Sequence, residues 1–153
     1  MDPRQVTLVQ QSFEKAAALG EQVADIFYAE LFAIDPALRV MFKGSMPEQK
    51  RKLLATLMLV VRSLHAPEKI LKALQDLGIK HLDYGVQREH YTLVGNALLR
   101  TLKRGLGEQF TPDVREAWVE AFRTLASIMK EAAYGGDRGM QDARGNPTKI
   151  AVN

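Results

Sequence analysis

Leu77–Tyr91 reads LGIKHLDYGVQREHY, and the meaning of His81 within it decides the fold. His81 follows Leu77 by four residues and Leu74 by seven, in line with the leucines of an amphipathic helix. A histidine on that side points inward, where a bare imidazole needs a partner, and neutral imidazole is the commonest metal ligand. The competing reading is a histidine near a helix end that bonds the last carbonyls. Asp83-Tyr84-Gly85 then turns the chain. From about Gln87 a long helix carries Tyr91, Val94, Leu98 and Leu102 inward.

Upstream of this stretch the helical spacing repeats. Asp2-Pro3 starts a first helix with Val6, Val9, Phe13 and Ala16 or Ala17 on one face, and Gly20 ends or interrupts it. A second helix runs from about Glu21 to Ile34 with Val23, Phe27, Leu31 and Ile34 aligned, and Tyr28 one step round from Phe27. Asp35-Pro36 opens a short third helix that reaches Phe42, and Lys43-Gly44 breaks the chain. Ser45-Met46-Pro47-Glu48 is a capping box for a helix to about Leu64, with Gln49, Leu53, Leu57 and Val60 or Val61 along one face. His65-Ala66-Pro67-Glu68 is a second stop and start, after which Ile70, Leu71, Leu74 and Leu77 lead to His81.

Downstream, Gly105, Gly107 and Thr111-Pro112-Asp113 end one helix and cap the last. That helix shows Val114, Trp118, Phe122, Leu125 and Met129, and ends near Tyr134. The remaining GGDRGMQDARGNPTKIAVN has no helical stripe and reads as a flexible Gly-rich tail over 135–153, leaving one all-α domain over 1–134.

The chain has 153 residues, 46% of them apolar and 25% charged, as expected of one soluble domain with a sizeable core. A charge of +3 and a pI near 9.2 are too weak a basic bias to argue for nucleic acid. With no cysteine, disulfides, iron–sulfur clusters, thiolate zinc sites and covalent C-x-x-C-H haem attachment are excluded. The start, MDPRQVTLVQQ, has no signal-peptide core, and the longest apolar run, Leu53–Val61, is too short to span a bilayer. The expected location is the cytoplasm.

Several motifs in order carry a family resemblance. FYAELFAIDPALRVMF over 27–42, Gln49, Lys80-His81 and HYTLVGNALL over 90–99 stand in register, with His81 thirty-two positions after Gln49. The chain resembles the globins, in particular the single-domain bacterial globins related to the globin domain of flavohaemoglobins. The resemblance runs from about Gln5 to Tyr134. It implies a globin fold of six to eight helices around a non-covalent haem b (iron protoporphyrin IX).

By this resemblance His81 is the axial iron ligand, with Tyr28 and Gln49 facing the open iron site. Phe42 packs on the haem plane, Leu53 walls the distal pocket, and Tyr91 is the inward tyrosine of the proximal side. Leu77 lies one turn before His81, and Lys80 is offered to a haem propionate. The match also implies reversible binding of dioxygen, nitric oxide and carbon monoxide. Tyr28 has one hydroxyl donor and Gln49 two amide donors to favour dioxygen, whose bound form carries partial charge. Conversion of nitric oxide to nitrate with an external reductase is the natural extension. Some globin-like domains pair through their last two long helices, and the resemblance leaves a homodimer of this chain open.

One position departs from the family pattern. Flavohaemoglobins place a glutamate near the proximal histidine; the matching residue here is Ala133, and Glu131 lies about 160° away on the helix. That loss counts against peroxidase chemistry, because a carboxylate partner makes a ligating imidazole more basic. His65 and His90 are rival ligands on paper; His65 sits at a helix end, and His90 lies about 100° from inward Tyr91. Met41 and Met58 read as packing, and Lys50-Arg51-Lys52 as a solvated helix face. The alternative function is a globin-fold sensor or interaction module that signals through haem or a protein partner.

Overall fold

The computed structural model describes residues 1–135, so all but the first residue of the expected tail lies outside the described residues. Six α-helices are present among them: α1 (Pro3–Ala17), α2 (Glu21–Ile34), α3 (Met46–Arg62), α4 (Leu71–Asp83), α5 (Arg88–Leu106) and α6 (Pro112–Tyr134). Short 3₁₀ segments stand at Pro36–Met41, Pro67–Lys69 and Gly107–Gln109. No described residue is in a strand, and none of the helices is long and apolar enough to cross a membrane.

Local chemistry sets the boundaries. The Asp2 side chain accepts from the Gln5 N–H at 2.8 Å while the Gln5 side chain accepts from the Asp2 N–H, so α1 begins at Pro3. Thr111 accepts from the Val114 N–H at 3.2 Å ahead of Pro112 and starts α6 in the same way. Ser45 accepts from the Glu48 N–H at 3.3 Å, but the return bond of the expected capping box is not made. α3 ends at Arg62, two residues earlier than its apolar spacing suggests. Gly20 and Gly107 hold φ of +64° and +58°, a region costly for any side chain, and there the chain leaves one helix for the next.

The core is built by α1, α2, α5 and α6. α2 packs mainly on α5, α1 on α6, and α4 on α6. Val9, Phe13, Phe27, Leu31, Leu102 and Trp118 are all at most 5% exposed. One buried polar contact ties α1 to α6: the Trp118 indole N–H donates to Ser12 Oγ at 2.8 Å, and Ser12 donates onward to the Leu8 carbonyl at 2.7 Å. Leu71, placed by its spacing with the inner stripe of α4, is exposed; Ile70 and Leu74 do the packing.

Two helices matter most for function. α3 packs on α2 and α1 and makes no extensive contact with α4. They meet at one end, where Val60 of α3 clusters with Ile70 and Leu74 against Leu125, Ile128 and Met129 of α6. The N-terminal half of α3, with Gln49, Leu53, Leu57 and Met58, is half-buried, and so are Leu77 and His81 of α4. α4 is fixed from behind by α6. Gly78 lies so close to α6 that a Cβ there would fall 2.3 Å from the Met129 carbonyl oxygen.

Candidate haem site

His81 is one turn from the C-terminus of α4, and its Nδ1 lies 2.7 Å from the Leu77 carbonyl oxygen. A carbonyl oxygen can only accept, so Nδ1 carries the proton and donates. The remaining lone pair is then on Nε2, the nitrogen at the far edge of the ring. A histidine whose second nitrogen is pinned in this way has its tautomer and ring plane set for a metal. Leu77 is not at the helix end: the last carbonyls, of Lys80, His81 and Leu82, are taken by the backbone N–H groups of Tyr84, Gly85 and Val86, so His81 is not the cap of α4.

The other histidines are engaged elsewhere. His90 Nδ1 accepts the Gln87 backbone N–H at 3.0 Å and caps α5, and His65 is exposed beyond the end of α3. Among the described residues no three His, Cys, Asp or Glu groups gather as a metal cage.

Tyr28, on α2, is 6% exposed and sits in a ring cluster. Its centroid is 5.2 Å from Phe27, 5.3 Å from Phe42 and 5.9 Å from Phe32, the first two edge-on. Phe42 reaches Tyr28 because the Pro36–Met41 turn folds the chain back over α2, and it also meets Phe32 at 5.6 Å. The Tyr28 hydroxyl has no hydrogen-bond partner among the described residues. Burial pushes its pKa up to about 12, so it stays a protonated donor at ordinary pH.

Gln49 is half-buried on the first turn of α3. Its amide folds back toward the preceding loop, with Nε2 3.7 Å from where a Cβ on Gly44 would stand. The amide makes no hydrogen bond to a described residue. Leu53 follows one turn later, half-buried against the main core. The sequence therefore brings Tyr28 and Phe42 into contact. Gln49 and Leu53 are half-buried on the N-terminal half of α3, and Leu77 and His81 on the C-terminal half of α4. Lys80 is exposed and makes no ion pair with a described residue.

Behind α4, Tyr91 is 6% exposed and packs with Leu82, Val86, Phe122, Met129, Ala133 and Tyr134. Its buried hydroxyl has no hydrogen-bond partner. Burial, and then the neighbouring Tyr134, push its pKa up to about 12. Ala133 is buried in this cluster while Glu131 is exposed, so the described carboxylate is on the outer side of α6. Tyr134 donates to the Val86 carbonyl and closes the loop between α4 and α5 over the cluster.

Sequence spacing missed three contacts that set this geometry. Gly78 admits α6 to the back of α4, and the only hint was a glycine inside a leucine stripe. Lys50 pairs with Asp25 at 2.8 Å and pins α3 to α2, although the run containing it reads as solvated. The Arg39 guanidinium lies 4.5 Å from the Phe32 ring centroid, capping the aromatic cluster from outside.

A non-covalent haem fits what is present. An imidazole offers a free lone pair, α3 and α4 carry half-buried apolar side chains at Leu53, Leu57, Met58 and Leu77, and the Tyr28 hydroxyl has no partner among the described residues. The sequence profile of the family described as Globin matches residues 25–129. The chain belongs to the globin family. This globin is 30% identical to a flavohemoprotein of Deinococcus radiodurans over 94% of its own length, and spans 35% of that protein. An engineered carbene transferase from Rhodothermus marinus superposes with a TM-score of 0.76 at 27% identity, covering 84% of this chain and 90% of that one. A Pseudomonas aeruginosa protein described as structurally highly homologous to a human hemoglobin gives 0.73 at 25% identity, covering 84% and 97%. Membership of the globins implies haem as the cofactor.

Proposed function

We propose that this globin holds haem b without a covalent link, through His81 Nε2, and reversibly binds dioxygen and other diatomic gases. The observation that carries the reading is the 2.7 Å contact from His81 Nδ1 to the Leu77 carbonyl, which leaves Nε2 as the ligating atom. Haem iron supplies one open coordination position for a gas. The chain does the rest. His81 retains the iron, Phe42 and Leu53 exclude water from the gas side, and Tyr28 donates to a charged acceptor placed there. Gln49 supplies a second donor once its amide turns away from Gly44. A hydrogen bond to a charged acceptor is worth roughly 1.5–3 kcal/mol, which favours dioxygen over carbon monoxide. Lys80 is the cation placed to meet a propionate.

The buried Ala133, where flavohaemoglobins carry a glutamate, leaves the His81 imidazole with a neutral carbonyl partner. That favours gas binding, and conversion of nitric oxide to nitrate with electrons from an external reductase, over peroxide cleavage. The relatives that carry the name flavohemoprotein support the nitric oxide reading. A His81→Gly variant tests the assignment. It should lose the five-coordinate ferrous spectrum, and added imidazole should restore it. Unchanged haem binding and spectrum in His81→Gly would move the ligand elsewhere.

A further inference from the structure

The stretch Arg39–Lys52 carries five cations and one carboxylate, against a net charge of +3 for the whole chain, so the rest of the molecule is slightly anionic. Among the described residues Lys50 alone of these cations makes an ion pair, with Asp25. Lys43, Arg51 and Lys52 are exposed and make no ion pair with described residues. Arg39 is held in place by the Phe32 ring beneath it. In the middle stands Val40, an apolar side chain 78% exposed. The charges fall on three consecutive segments, the 3₁₀ turn, the following loop and the start of α3, which form the edge where the turn and α3 both pack on α2. Directly under that edge lies the Phe32–Phe42–Tyr28 ring cluster, with centroids 5.3–5.9 Å apart.

We propose that this edge is the docking surface for an acidic one-electron carrier protein, with the ring cluster as the short span between the docked carrier and the haem side. The proposal rests on the haem reading above. Charge complementarity selects the partner's sign and speeds encounter, and one exposed apolar residue within a cationic rim gives the contact a dry centre. In the step itself the carrier's reduced flavin loses one electron and ferric iron gains it to become ferrous. No atom or proton changes hands.

The test uses haem-loaded full-length protein and reduced flavodoxin, an acidic flavin protein, as the probe. Lys43→Glu/Arg51→Glu/Lys52→Glu is compared with Lys15→Glu/Lys103→Glu/Arg115→Glu, which alters net charge equally on other faces. Flavodoxin affinity is read by flavin fluorescence anisotropy, which needs no haem, and ferric-iron reduction by stopped flow. The first variant should weaken affinity and slow reduction by at least about tenfold at low salt, and flatten the salt dependence. The second should stay within about twofold of the native chain. Equal losses in both variants, or none in either, would overturn the docking surface. Tighter binding of native protein to phosphatidylglycerol vesicles or duplex DNA than to flavodoxin would overturn the partner class. A native protein without a Soret band would sink the haem reading and the electron-transfer step with it, while the affinity comparison still decides whether the edge docks the acidic carrier.

Discussion

Tyr28 and Tyr91 present the same chemistry in two separate clusters. Each is buried, each hydroxyl lacks a hydrogen-bond partner among the described residues, and each is held protonated by burial. Tyr28→Phe removes the distal donor and keeps the ring contacts to Phe27 and Phe42. Dioxygen release should accelerate by about tenfold or more in stopped-flow exchange against carbon monoxide, with carbon monoxide binding little changed. An unchanged off-rate would remove Tyr28 from the mechanism. The raised values also fix a pH dependence in the haem-free chain. The unfolded tyrosines ionise near 10 and the folded ones near 12, so the unfolded state binds fewer protons between those limits. Stability from these groups is complete below about pH 10 and falls as pH rises toward 12. Urea titrations across that window should show a shallower decline in Tyr28→Phe/Tyr91→Phe. At Ser12 the direction of the bond matters. Ser12→Ala strands the Trp118 N–H in the core and should cost about 1–3 kcal/mol by urea denaturation. Trp118→Phe leaves Ser12 donating to the Leu8 carbonyl, so any cost there comes from packing.

The elements were legible to the extent that their spacing and caps agree. Asp2-Pro3, Ser45-Pro47 and Thr111-Pro112 announce helices where α1, α3 and α6 begin, because a side-chain oxygen meets an otherwise unpaired N–H at each. The turn at Asp83–Gly85 was equally plain. What spacing could not supply was the approach of one element to another. The stripe Ile70-Leu71-Leu74-Leu77 gives a face for α4, but its true seat on α6 is made by Gly78, and Leu71 falls outside it. Gly78→Ala would push Cβ into the Met129 backbone. Carbonyl oxygens cannot move aside as a side-chain tip can. The substitution should cost about 2–3 kcal/mol and lower the urea midpoint. Because α4 carries His81, haem retention should weaken with it. No loss of stability in Gly78→Ala would mean that α4 and α6 lie farther apart than described.

At the scale of the whole molecule, α1, α2, α5 and α6 close a core, while α3 and α4 share a small cluster through Val60, Ile70 and Leu74 and make no extensive contact with each other. The candidate site was visible in the sequence as residue types in register with a family, and His81 and Tyr28 were singled out on that ground. Their pinned tautomer and missing partners were not visible, since both depend on where a carbonyl and a ring cluster settle in three dimensions. If the folded chain receives haem and the unfolded chain does not, uptake must stabilise the fold by mass action. With free haem at a thousand times its dissociation constant the gain is about 4 kcal/mol, or a rise of roughly 10 °C in Tm for a chain of this size. Calorimetry should show that rise in the native protein and a much smaller one in His81→Gly. The most direct measurement is the absorption spectrum of the purified protein as isolated, after reduction under nitrogen, and after exposure to air. An intense Soret band, a five-coordinate ferrous form and a stable oxygenated form are predicted together. A colourless protein that also fails to take up added haem would contradict the account.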